Sequence, residues 1–167
     1  MRGVILSGVL AVASMAAMAE TEPLTVLQVL DLSGQNGDTG KDFVAGAKVY
    51  FDYINSRGGI NGRKIRYIPL DDGYNPAKTV EQARKLVEQE EALLVFNPLG
   101  TASNTAIQKY MNDKKVPHLF VATGATKWGD PKNFPWTMAW QPSYQAEARI
   151  FAQHILETKP NAKIAIL

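Results

Sequence analysis

Residues 93–106 hold the side chains with the plainest chemical use in this sequence. Leu93, Leu94, Val95 and Phe96 form an apolar run, Asn97, Pro98, Leu99 and Gly100 a turn, and Thr101, Ala102, Ser103 and Asn104 the start of a helix. A short apolar run bounded by turn residues reads as a buried strand of a parallel sheet. A helix that opens on hydroxyls directs unpaired backbone N–H groups and the positive end of its dipole at whatever stands before it. Such an end takes a small anion or a carboxylate with no charged side chain. The same residues also make an ordinary capped helix in any α/β domain, so the rest of the sequence must decide the function.

Other groupings offer other chemistries. Asp71 and Asp72 follow a strand and invite an enzymatic or phosphoacceptor reading. Gly34, Gly37 and Gly40 lack the G-x-G-x-x-G spacing of a dinucleotide loop and read instead as a flexible loop that gates a ligand. His118 and His154 stand far apart with no paired carboxylate pattern, so no metal site is expected. Ser33, Ser103 and Ser143 lack a nucleophile elbow, and the absence of cysteine removes thiol chemistry and disulfides. The expectation is a protein that is not an enzyme and uses no cofactor. Trp128, Trp136 and Trp140, with Phe134, either pack a long loop or wall a ligand, and Trp128 is the one expected nearest to a ligand.

The elements that must position these residues alternate. A first strand covers Leu24–Asp31, and Ser33, Gly34, Gly37 and Gly40 make the loop after it. A helix follows over Lys41–Ser56, with Phe43, Ala47, Tyr50 and Ile54 at helical spacing and Gly58-Gly59 ending it. Lys64–Leu70 is a second strand. Asn75 and Pro76 open a helix as cap and first residue, with Val80, Ala83 and Val87 on its buried face. The helix from Thr101 runs to about Asp113 with Ile107, Tyr110 and Met111 inward. Val116–Val121 is a fourth strand, Trp136–Trp140 a short extended segment, and Pro142 starts a helix with Tyr144, Ala148, Phe151 and Ile155 on one face. Lys163–Leu167 opens a further strand, which suggests the front part of a longer protein.

Strands alternating with helices give a doubly wound parallel α/β sheet. Ligands of such sheets bind beyond the carboxyl ends of the strands, where the strand order switches. The loops at Leu32–Gly40, Asp71–Asn75, Asn97–Ser103 and Ala122–Trp128 converge there.

With 167 residues, 46% hydrophobic and 20% charged, the chain can bury a core of ordinary globular size. A net charge of +2 with scattered Lys and Arg gives no reason to expect a nucleic-acid partner. Arg2, the apolar run Gly3–Ala17 and the small-x-small run Ala17-Met18-Ala19 have the outline of a secretory signal peptide cleaved after Ala19. The run is too short for a membrane span of about 20 residues. The expected location is the periplasm.

The sequence then resembles a known family, the type I solute-binding proteins of ABC transporters, in the branched-chain amino acid group. The residues that carry the likeness are Leu32-Ser33-Gly34, the run Gly58-Gly59-Ile60-Asn61-Gly62-Arg63-Lys64-Ile65, Asp71-Asp72 with Asn75-Pro76-Ala77, Asn97-Pro98-Leu99-Gly100, and Val116-Pro117. The resemblance implies two α/β lobes that close on a ligand and present it to a membrane permease of an ABC transporter. It divides the chain into a signal peptide at 1–19, an N-terminal ligand-binding lobe at 20–141, and the incomplete start of a second lobe at 142–167. It implies a structural role for Asp71-Asp72, tying their loop to nearby N–H groups. It places a small-molecule carboxylate on hydroxyls and main-chain groups after the third and fourth strands: Thr101, Ala102 and Ser103, then Ala122, Thr123, Gly124 and Ala125. Gly100 and Ser33 complete the expected rim, and Trp128 is its aromatic candidate. Where members often carry consecutive serines this chain has Gly100-Thr101-Ala102-Ser103. The same fold also serves as the sensing domain of receptors, the alternative function.

Overall fold

The computed structural model describes residues 22–165; the expected signal peptide at 1–19 lies outside them. Strands β1 (Leu24–Leu30), β2 (Ile65–Asp71), β3 (Leu94–Phe96), β4 (His118–Val121) and β5 (Thr137–Ala139) form one parallel sheet in the order β2-β1-β3-β4-β5. The helices are α1 (Gly37–Ser56), α2 (Pro76–Glu88), α3 (Thr101–Lys114) and α4 (Tyr144–Thr158), with a 3-10 turn at Thr126–Gly129. The chain steps from β1 outward to β2, then returns to lay β3 on the other side of β1. That is a switch in strand order, and it lies beside the β3 tip.

Strand alternation sends Leu27, Val29 and Val95 to one face, where Ala83 and Leu86 of α2 and Ile107 and Met111 of α3 close the core. Burying each of the larger aliphatic side chains contributes about 2 kcal/mol. The opposite face carries an aromatic row. Phe51 of α1 meets Tyr67 at 5.2 Å and Phe96 at 5.5 Å, Phe96 meets Phe120 at 5.8 Å, and Phe120 meets Trp140 edge-on at 5.7 Å. The row ends in an open groove of about 570 Å³, lined by Phe43, Tyr50, Phe96, Phe120 and Trp140 among others.

Four expectations change. α1 starts at Gly37, so Gly37 and Gly40 are buried in its first turn and do not belong to a flexible loop. The cause is Asp31, fully buried, whose carboxylate accepts the N–H groups of Ser33 (3.2 Å), Gly34 (2.6 Å) and Asn36 (2.8 Å). Gly40 then meets the chain directly: a Cβ there would stand 1.8 Å from the Asp31 carbonyl oxygen. α2 buries Thr79, Ala83 and Leu86, with Val80 and Val87 only partly covered. α4 buries none of its residues, and Tyr144 and Phe151 are exposed. Lys163–Ala165 is not a strand, since no strand among the described residues pairs with it, and 166–167 lie outside them.

The Asn75 expectation holds: its side chain accepts from the N–H groups of Ala77 and Lys78, and Pro76 takes the first helical position. The extended segment after Pro135 is edge strand β5.

Candidate functional site

The tips of β3 and β4 are locked together before any ligand is considered. Asn97 adopts a left-handed conformation (φ 46°), and its Nδ2 donates to the Phe120 carbonyl at 2.9 Å. Gln28 Nε2 donates to the Asn97 carbonyl at 2.9 Å. Ala122 N–H donates to the Pro98 carbonyl at 2.9 Å. On β4, Phe120 is also left-handed (φ 58°), and three steps from His118 to Val121 face two from Thr137 to Ala139. This one-residue bulge turns Phe120 onto the aromatic face and re-aims the loop that follows.

Asn104 ties the β3 loop to α3. It is fully buried, and its Nδ2 donates to the carbonyls of Pro98 (3.1 Å) and Gly100 (2.7 Å). With Nδ2 so occupied, Oδ1 is the atom facing His118 Nε2 at 2.7 Å and must accept. His118 therefore carries its proton on Nε2. Its Nδ1 has no partner among the described residues, and burial pushes the ring down to about 4.

The site itself is small. Gly100 caps α3 with φ 100° and no side-chain hydrogen bond, so the first turn keeps its N–H groups free of a capping side chain. Beside it the hydroxyls of Thr101 and Thr123 are hydrogen-bonded at 2.5 Å, and Thr123 lies 3.3 Å from the Tyr144 hydroxyl. Two rings cover the two glycines. A Cβ on Gly100 would stand 2.5 Å from the Tyr74 ring, and one on Gly124 would stand 2.5 Å from the Tyr144 ring. The arrangement is an uncharged cluster of hydroxyls at the end of a helix, partly roofed by two tyrosines. The groove of about 570 Å³ is not here but on the aromatic face.

The other expected site residues scatter. Ala102 is exposed on the first turn of α3, and Ala125 is half-buried where the 3-10 turn begins. Ala122 is buried with both backbone groups used, its N–H on Pro98 and its carbonyl accepting from Gly100 at 3.4 Å. Ser33 is exposed and donates to Asp71 Oδ2 at 2.6 Å. Ser103 does not face the cluster. It is buried and donates to Asp72 Oδ2 at 3.1 Å, beside the Thr79 hydroxyl, which donates to the same oxygen at 2.6 Å. Trp128 is only 2% exposed, edge-on to His118 with centroids 6.4 Å apart, so the expected aromatic wall is a packed core ring. The physical reason is the 3-10 turn Thr126–Gly129, which rolls the ring inward.

Asp71 and Asp72 hold their loop. Asp71 accepts from the N–H groups of Leu32 (2.8 Å) and Gly73 (2.9 Å). Burial raises its carboxyl, but the Ser33 hydroxyl and the N–H donors together outweigh that and hold it below the usual carboxylate range. Asp72 is fully buried and accepts from the Tyr74 N–H at 2.9 Å as well as from the two hydroxyls. Tyr74, Tyr144, Asn104 and the Asp72 network were not legible as site features. The one local signal lay in the caps: Asn75 fixes the residue before it, and Ser143, whose Oγ accepts from Ala146 N–H, fixes Tyr144. Among the described residues, no group of three or more His, Asp or Glu could hold a metal ion, and no helix is long and apolar enough to cross a membrane.

Known proteins agree with this fold. A family model for periplasmic binding proteins matches residues 23–167. An amino acid binding protein of Pseudomonas aeruginosa is 33% identical over 94 residues, which are 56% of this chain and 25% of that protein. The leucine-specific-binding protein of Salmonella typhimurium is 26% identical over 98% of this chain and 43% of its own length. A periplasmic substrate-binding protein of Ralstonia solanacearum superposes with a TM-score of 0.74 at 30% identity, covering 81% of this chain and 38% of that one. A branched-chain amino acid ABC transporter protein of Thermus thermophilus with bound valine gives a TM-score of 0.75 at 19% identity, over 84% of this chain and 36% of that one, a likeness of fold. The chain thus spans less than half the length of these relatives. With a parallel sheet, a switch in strand order and a family model covering nearly all of the described residues, the chain belongs to the periplasmic binding protein family.

Proposed function

We propose that this chain forms the N-terminal lobe of the substrate-binding component of an ABC importer, and that it takes a small amphipathic carboxylate such as a branched-chain amino acid or a related organic acid. The observation that carries the reading is the Thr101–Thr123 hydroxyl pair beside the uncapped first turn of α3. Hydroxyl and N–H donors satisfy a carboxylate without burying a side-chain charge that would need a partner. The names of the amino acid binding relatives support the ligand class. In this reading residues 1–19 are removed on export, the lobe ends near residue 141, and 142–167 lead into a second lobe. That α4 buries none of its residues supports that boundary. Closure of the two lobes buries the ligand, and the closed form meets the permease.

A thermal-shift screen of the full-length protein against amino acids and organic acids tests this. A ligand that binds only the folded state adds about 2.7 kcal/mol of apparent stability at one hundred times its Kd. A shift with carboxylates that falls away in Thr101→Val and Thr123→Val is the expected result. Shifts with nucleotides or metal ions alone would sink the proposal.

A further inference from the structure

Gly100 and Tyr74 raise a question that the hydroxyl pair does not answer. Tyr74 belongs to the loop between β2 and α2, away from Thr101 in sequence, yet its ring lies where the side chain of residue 100 would go. A Cβ on Gly100 would sit 2.5 Å from the ring and 3.2 Å from the phenol oxygen. To reach this place Tyr74 takes a left-handed conformation, φ 58°, which bulky residues rarely adopt. Asp72 holds it there. That buried carboxylate accepts the Tyr74 N–H at 2.9 Å and, on its other oxygen, the hydroxyls of Thr79 from α2 and Ser103 from α3. The loop is thus fastened to the helix whose first turn it overhangs. The Tyr74 hydroxyl has no hydrogen-bond partner among the described residues, although the ring below it is half-buried. A strained residue, fixed by a fully satisfied buried network and ending in an unpaired donor, points to a use for that donor.

We infer that Tyr74 is a specificity-determining residue of the site. Its phenol O–H donates to an ionised carboxylate held by Thr101 and Thr123, in place of a side chain at position 100, and it selects acids over their neutral amides. The inference rests on the carboxylate reading of the preceding section. Gly100 is then required twice over, for its positive φ and for the room it leaves to the ring.

The test uses the full-length protein and isothermal titration with two probes, L-leucine and benzoate, each compared with its neutral amide. Tyr74→Phe keeps the ring over Gly100, so the unliganded unfolding midpoint stays where it is. For whichever acid binds, this variant weakens affinity about tenfold, as loss of one hydrogen bond to a charged group does. Its affinity for the matching amide changes little. Equal affinity of both proteins for the acid overturns the inference, and so does an equal loss for acid and amide, since a purely structural hydroxyl would produce it. If the unsubstituted protein binds neither acid, the carboxylate reading fails first and this inference goes with it; if it binds and Tyr74→Phe is silent, only the role of Tyr74 is lost.

Discussion

Two buried polar residues set the behaviour of the strand tips at the scale of single side chains. Asp72 makes no ion pair among the described residues and is satisfied by one N–H and two hydroxyls. Removing it takes the acceptor from the Tyr74 N–H and the Ser103 hydroxyl, while Thr79 keeps the Asn75 carbonyl at 3.0 Å; each donor left unpaired costs on the order of 1 kcal/mol or more. Asp72→Ala is expected to lower stability to urea by about 2 kcal/mol, and Ser103→Ala by about 1 kcal/mol. His118 makes a second prediction. Burial lowers its pKa to about 4, whereas an unfolded chain protonates near the ordinary 6.5. Between those values the unfolded state binds the extra proton, so stability is complete above pH 6.5 and declines as pH falls toward 4. Equilibrium unfolding across that range should show the decline, and an NMR titration should find the His118 ring neutral at pH 5. None of this was readable locally, because Ser103, Asp72 and Thr79 meet across separate elements, as do His118 and Asn104.

At the scale of elements, the start of α1 and the aromatic face matter most. Gly40 lets the first turn of α1 press on the Asp31 carbonyl, so Gly40→Ala must push helix and strand apart. A loss of about 3 kcal/mol is expected by thermal unfolding, at the upper end for overpacking. The apolar periodicity from Phe43 to Ile54 was enough to announce α1, but its first turn was hidden. Glycines mark loops in a sequence, and only the Asp31 turn reveals that Gly37 and Gly40 are helical. The aromatic row makes a further prediction. Trp140 is 62% exposed at the rim of the 570 Å³ groove, next to Phe120. An apolar concavity of this kind takes up hydrophobic dyes. The 167-residue chain should enhance anilinonaphthalene sulfonate fluorescence, and Trp140→Gln should reduce the enhancement by half or more, roughly in proportion to the apolar area removed.

Across the whole molecule, the parallel sheet places four loops at one edge and lets β1 and β3 part the crossovers to opposite sides. The candidate site lies at that edge, and the relatives named above are more than twice as long as this chain. A ligand gripped by hydroxyls on one lobe gains most when a second surface removes the remaining water. The family assignment was legible because its signals are local: the Gly58–Ile65 run, the Asn75-Pro76 cap and the order of strands and helices. The site was legible only in part. The structure brings Thr101 and Thr123 together at the tips of β3 and β4, while Ser103 and Trp128 turn into the core and Ala122 spends its backbone on the neighbouring loop.

Hydrophobic spacing and turn residues by themselves determined the elements, their alternation and hence the sheet, because helix and strand periods are properties of neighbours along the chain. Which hydroxyls stay available was decided by contacts between residues 21 to 38 positions apart, and such distances have no period. The left-handed turns at Tyr74, Asn97 and Phe120 aim the loops, and burial then chooses which side chain each loop offers and which it consumes.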